Sequence, residues 1–315
     1  MRKFIIFAAA VAMFASCCNQ PAEPVKKEIG IQLYSVRDII GNYADNHEEL
    51  FAKLVELGYT CVETCGYNNG TFYGVAPEQY KADLEAAGLK AISTHTMCGL
   101  TDEEVAAHDF SAKTDWWKKC IAAHKAIGCR YIVAPGFSIP NTLEGLKTYC
   151  DYFNEIGKMC AEEGMKFGYH NHSHEFNSLE GEVIYDFMLQ NTDPELVFFE
   201  MDVYWTVMAK QAPVNYFKKY PGRFTCLHIK DYREVGQSGM VGFDAIFNAA
   251  EISGMKDFVV EMEGSSYGDI IRTCQESADY LKAADFVKPC YGGGCCCTEK
   301  CGEEKECCGK CCDKK

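Results

Sequence analysis

No Gly-x-Gly-x-x-Gly follows the first apolar run of this 315-residue chain, and no phosphate-loop signature occurs in it. The usual glycine-rich cradles for dinucleotides and nucleoside triphosphates are therefore missing. Positive charge is also short: 31 Lys and Arg stand against 45 Asp and Glu, a formal charge of -14, and the cations are scattered rather than gathered in a stripe. That excludes a phosphate-backbone partner, so no nucleic-acid role is expected. Neither an arginine cluster nor a phosphate-binding glycine turn falls on the late loops, which disfavours a phosphorylated substrate. Long apolar runs are scarce. The one from Phe4 to Phe14, behind Arg2 and Lys3, is too short to span a bilayer permanently and makes residues 1–16 a secretory signal.

Phe14-Ala-Ser-Cys17 resembles a bacterial lipobox, in which the cysteine, here Cys17, becomes the lipidated N-terminus. An ordinary signal cleaved near Ala15 is the alternative, and either one exports the protein. Residues 17–27 then serve as a tether to the membrane. Cysteine is abundant, with nine of the twenty in the last 26 residues. Residues 287–315 have almost no apolar side chains with which to build a core, so they read as a disordered Cys-rich tail. Such a tail could hold soft metal ions through thiolates. Cys61, Cys129 and Cys226 lie in or beside strand-like runs and are expected to behave as small buried hydrophobes.

Eight apolar strand candidates alternate with helical patterns: 29–34, 60–64, 90–95, 131–135, 166–171, 196–202, 224–230 and 258–263. Helices between them carry apolar residues at three- and four-residue spacing, as in Leu50, Leu54 and Leu57. Gly58, Gly88, Gly128, Gly164 and Gly254 follow as left-handed caps. Helix, glycine and strand in repetition specify parallel strands with right-handed crossovers, hence a single-domain (β/α)8 TIM barrel over residues 28–286. An open doubly wound sheet is the other arrangement this pattern allows.

Four of the strand candidates end in residues suited to metal binding or proton transfer. Strand side chains alternate in direction, so parity groups His170 with His172, Glu200 with Asp202, His228 with Lys230, and Glu261 with Glu263. One or two histidines, an aspartate and a glutamate from neighbouring strands make a mixed nitrogen and oxygen site for Mn²⁺, Zn²⁺, Co²⁺ or Mg²⁺. Glu63 and His95 lie on the same rim and are expected to orient sugar hydroxyls, with Trp205 and Tyr34 as an apolar wall for a sugar ring. A structural alternative pairs His228 and Lys230 with Glu200 and Asp231, and leaves His174 and Glu175 solvated on the surface.

Gln32-Leu-Tyr-Ser-Val-Arg37, Gly168-Tyr-His-Asn-His172 with Glu175-Phe176, and His228-Ile-Lys-Asp231 together resemble the xylose isomerase-like barrel superfamily, often labelled sugar phosphate isomerase/epimerase. The resemblance implies a metal held by Glu, Asp, His and Glu from strands five to eight. That set maps here onto His170 or His172, Asp202, His228 and Glu261. Strand five departs by offering histidine where those epimerases have one of two acid/base glutamates, which favours one-sided proton transfer by Glu261, His170 or His172, with Lys230 stabilising an oxyanion. The function so implied is a metal-dependent isomerase or epimerase of a non-phosphorylated sugar or keto-sugar. A 3-keto-glycoside lyase on the same site is the enzymatic alternative, and a carbohydrate-binding or metal-sequestering lipoprotein the non-enzymatic one.

Overall fold

The computed structural model describes residues 26–291. The signal segment, Cys17, most of the tether and the cysteines from Cys295 onward lie outside the described residues. Eight strands form one sheet: β1 (Gly30–Gln32), β2 (Cys61–Thr64), β3 (Ala91–Thr94), β4 (Tyr131–Ala134), β5 (Lys166–His170), β6 (Val197–Asp202), β7 (Cys226–Lys230) and β8 (Asp257–Glu261). Neighbouring strands run parallel in the order β3-β2-β1-β8-β7-β6-β5-β4. The two ends of that series meet through a parallel bridge between His95 and Val133. Arg130 N donates to Ile92 O at 2.9 Å and Thr96 N to Val133 O at 3.0 Å, which closes the sheet into a barrel.

The principal helices are α1 (Tyr43–Leu57), α2 (Pro77–Ala87), α3 (Thr114–Ala126), α4 (Leu143–Glu162), α5 (Ile184–Asn191), α6 (Pro213–Lys219), α7 (Phe243–Asn248) and α8 (Ile270–Ala283). Each follows its strand, so the crossovers wrap a ring of helices around the barrel and bury its outer face. Gly58 ends α1 at φ 106° and Gly254 precedes β8 at φ 85°, in the left-handed region that a β-carbon disfavours. Among the described residues no helix is long and apolar enough to cross a membrane.

Alternation along the strands builds the barrel interior in layers. Cys61, Ile92, Tyr131, Val133, Phe198, Cys226 and Val259 form a separate buried cluster that plugs the lower half. Gly168 belongs to this level because a β-carbon there would stand 2.5 Å from the Phe198 ring. Two residues further along the same strands the interior turns polar: Glu63 follows Cys61, His170 follows Gly168, Glu200 follows Phe198, His228 follows Cys226 and Glu261 follows Val259. The apolar floor keeps water out from below, and the polar layer opens toward the C-terminal ends of the strands.

Residues 287–291 pack against the lower end of the barrel. Val287 is buried, Glu28 N donates to Pro289 O at 3.0 Å, and the Tyr291 ring meets those of Phe247 and Phe258.

Candidate metal centre

Asp202 ends β6 and is also the N-cap of the short helix Val203–Met208, so one carboxylate oxygen accepts from Trp205 N at 2.8 Å. The other oxygen, Oδ2, is buried and has no partner. Asn171 fixes the backbone beside it, its Oδ1 accepting from Asp202 N at 3.2 Å. On the adjacent strand, Nδ1 of His228 lies 3.5 Å from Glu261 Oε2 of the next strand, out of hydrogen-bond alignment. Nδ1 of His170 is likewise buried and unpartnered, 3.4 Å from Glu200 Oε2. His170, Asp202, His228 and Glu261 each direct one potential ligand atom to a common point, all within 4.8 Å of one another. Three orphaned polar atoms and a carboxylate in a closed interior are costly unless something satisfies them. Two imidazoles and two carboxylates suit a borderline or hard divalent cation, so the residues present fit such an ion.

Of the two strand-five histidines the sequence left open, His170 is the one brought into this set. His172 lies beyond the strand, grouped instead with His174 and Glu175. Its Nδ1 is buried and unpartnered, and its ring faces Trp205 at 5.9 Å. Trp205 and Lys230 stand over the same opening, with Lys230 Nζ 5.8 Å from the Trp205 ring centre and 3.3 Å from Glu263. The Trp205 indole N–H is unpartnered as well. Tyr34 is exposed at the end of β1 and stacks on Arg37, 4.5 Å from the guanidinium.

Two expectations need correction. Glu63 cannot orient sugar hydroxyls, because it is fully buried below the ligand set and its Oε1 accepts from Gln32 at 2.7 Å and from His228 Nε2 at 2.7 Å. His95 turns Nε2 inward, 2.8 Å from Glu200 and 3.0 Å from Glu63, and keeps an exposed edge. Glu175 is not solvated on the surface. It is completely buried, accepting from Tyr169 OH at 2.6 Å and His172 N at 2.9 Å. The structural pairing of His228 with Glu200 does occur, at 3.2 Å, whereas Asp231 accepts from Gly236 N in the following loop and leaves Lys230 to Glu263. His95, His170, Glu200 and His228 form a second possible ligand group, but the hydrogen bonds of His95 already occupy its inward nitrogen.

Burial and mutual charge set the protonation pattern. Burial would raise Glu63, yet His95 and His228 outweigh it and hold that carboxyl at about 2. Burial and the neighbouring Glu63 charge push Glu200 the other way, upward. Glu261 is also held at about 2, its burial outweighed by the close approach and charge of His228. Burial lifts Asp202 to about 7, with Lys230 and His228 opposing. Burial would lower His228, but Glu200 and Glu63 carry it well above its ordinary value. Burial, with His228 and His95 adding to it, drives His170 far below that value, and burial lowers His172 too.

Comparison with known proteins agrees with this architecture. A family model described as "Xylose isomerase-like TIM barrel" matches residues 51–290. The structure of a sugar phosphate isomerase/epimerase from Parabacteroides distasonis ATCC 8503 is 33% identical, with a TM-score of 0.77 over 85% of this chain and 99% of that one. Inosose dehydratase 2 of Bacillus cereus (strain ZK / E33L) is 28% identical over 139 residues, 44% of this chain and 45% of its own, so less than half of that relative's length is spanned. The structure of the IOLI protein with a binding zinc atom is 14% identical with a TM-score of 0.62, covering 82% of this chain and 98% of the other, a likeness of fold.

Proposed function

The chain belongs to the xylose isomerase-like TIM barrel family, and from that premise we propose that it is a divalent-metal-dependent enzyme abstracting a proton next to a carbonyl in a non-phosphorylated sugar or keto-sugar. The observation that carries this reading is the convergence of His170, Asp202, His228 and Glu261, with buried atoms lacking partners, at the open end of the barrel. A zinc atom in the IOLI protein, a neighbour in fold, supports the choice of a divalent cation. When bound, such an ion supplies Lewis-acid stabilisation of the negative charge that develops on a sugar's oxygens.

His172 is the base best supported by its surroundings. Lowering by burial keeps its imidazole neutral at pH 7, and its Nδ1 has no competing partner. Glu261, held near 2, is too weak a base to share that work and serves as a ligand. Lys230, almost fully buried beside Trp205, is placed to stabilise an oxyanion, while the Trp205 indole offers a ring face and a free N–H to a sugar. The proton leaves the carbon next to the carbonyl for His172, and its electron pair moves onto the carbonyl oxygen to give an enediolate. Passage of the hydroxyl proton from the neighbouring oxygen to the former carbonyl oxygen, with return of the carbon-bound proton to the former carbonyl carbon, completes an isomerisation.

A second outcome of the same first step is favoured by the one-sided histidine of strand five and by the inosose dehydratase relatives. There the enediolate expels a group β to the carbonyl, and the enzyme is a lyase. Incubation with a 3-keto-glucoside separates the two: aglycone release supports elimination, retention with a changed stereocentre supports epimerisation, and absence of any turnover or solvent deuterium exchange on a panel of keto-sugars counts against both. Outside the described residues, we propose an N-terminal lipid on Cys17 and residence in the periplasm or at the cell surface.

A further inference from the structure

A charged carboxylate with no access to solvent needs a reason to be in a barrel core, and Glu63 sits completely buried beneath the ligand set. Its Oε1 accepts from two donors, Gln32 Nε2 at 2.7 Å and His228 Nε2 at 2.7 Å, while His95 Nε2, hydrogen-bonded to Glu200, lies 3.0 Å away. An ionised carboxylate can only accept, so the His228 nitrogen facing it must carry the proton. Glu200 also approaches that nitrogen, but from 3.2 Å. The opposite nitrogen, Nδ1, is left facing Glu261 at 3.5 Å with no hydrogen-bond partner.

We infer that Glu63 is a positioning residue: by holding the Nε2 proton of His228, it orients the ring and commits Nδ1 to the metal. This rests on the metal reading proposed above and replaces the substrate-binding role expected from the sequence. Gln32 donates to the same oxygen, so the ring is aimed by a held acceptor rather than by a mobile one. A carboxylate on the outer nitrogen of a ligating histidine fixes its tautomer and raises its basicity, and losing such a partner typically weakens metal binding about 10- to 100-fold. Glu63 touches neither the ion nor the substrate in this arrangement.

The test is Mn²⁺ binding to the full chain, read as loss of the free-ion electron paramagnetic resonance signal, because thiolates of the C-terminal segment compete poorly for this hard ion. Wild type is expected to bind, His228→Ala to lose binding, and Glu63→Gln to bind roughly 10- to 100-fold more weakly with its circular dichroism unchanged. The Tm increment produced by Mn²⁺ should shrink in Glu63→Gln by a matching amount. A purely structural Glu63 would instead lower the metal-free Tm and leave Mn²⁺ affinity within about twofold, and that result overturns the inference. If wild type binds no Mn²⁺, or His228→Ala binds normally, the metal reading itself fails and Glu63 falls with it. Should Glu63→Gln not fold, Gln32→Leu removes one holder of the same oxygen. Several-fold weaker binding then supports the role, and unchanged binding rejects it.

Discussion

Proton competition at two side chains governs how this centre loads. In the metal-free protein Asp202 is lifted to about 7, chiefly by burial, and His228 is carried well above its ordinary value by Glu200 and Glu63 against burial. Both must give up a proton to ligate a cation, so metal binding releases protons and weakens as pH falls. Each obligatory proton contributes about a tenfold change per pH unit below its pKa. Affinity for Mn²⁺ is therefore expected to drop roughly 100- to 300-fold from pH 7.5 to 6.0, as measured by titration at fixed ionic strength. A flat profile would mean that Asp202 and His228 are not ligands. His172 has the opposite character, since burial keeps it neutral at pH 7. His172→Ala should lower kcat by about 10²- to 10⁴-fold while leaving the Mn²⁺ Kd within a few-fold, a separation that steady-state kinetics and binding can each read.

At the scale of elements, the centre depends on strands held in register by close helix packing. Gly157 of α4 faces the residue before β6, where an added β-carbon would stand 2.6 Å from Leu196 O. Backbone cannot easily yield, so Gly157→Ala should destabilise the fold by roughly 1–2 kcal/mol despite the helix propensity gained, as read from urea unfolding. The strands themselves were legible because runs such as Phe198-Phe199-Glu200-Met201-Asp202 mix apolar residues with charge at a two-residue period, and β6 spans Val197–Asp202. Parity groups His170, Glu200 and His228 with the residues that face the interior, and all three are buried there. Depth was not legible. Alternation says which way a side chain points but not how far down the barrel it sits, so Glu63 was assigned to substrate although it lies under His228. The contacts that Glu200 and Gln32 make are hidden for the same reason, because their partners lie some 30 to 105 residues away. Glu175 was misjudged because its polar loop folds back under Tyr169, a contact that no local spacing encodes.

The whole molecule separates its two ends. The described chain starts at Lys26 and stops at Tyr291, and both line a cavity of about 880 Å³ at the N-terminal ends of the strands, opposite the polar layer. Replacing Cys17 by Ser should move the protein from the membrane fraction to the soluble exported fraction with turnover intact, as followed by fractionation and immunoblotting. Persistence of Cys17→Ser in the membrane would reject the anchor. The proposed chemistry depends on one cation held by four strands. Anomalous diffraction at the manganese edge from crystals soaked in Mn²⁺ tests this most directly: a peak is expected among His170, Asp202, His228 and Glu261. No peak there, or a peak only beside His172, His174 and Glu175, would refute the proposed centre.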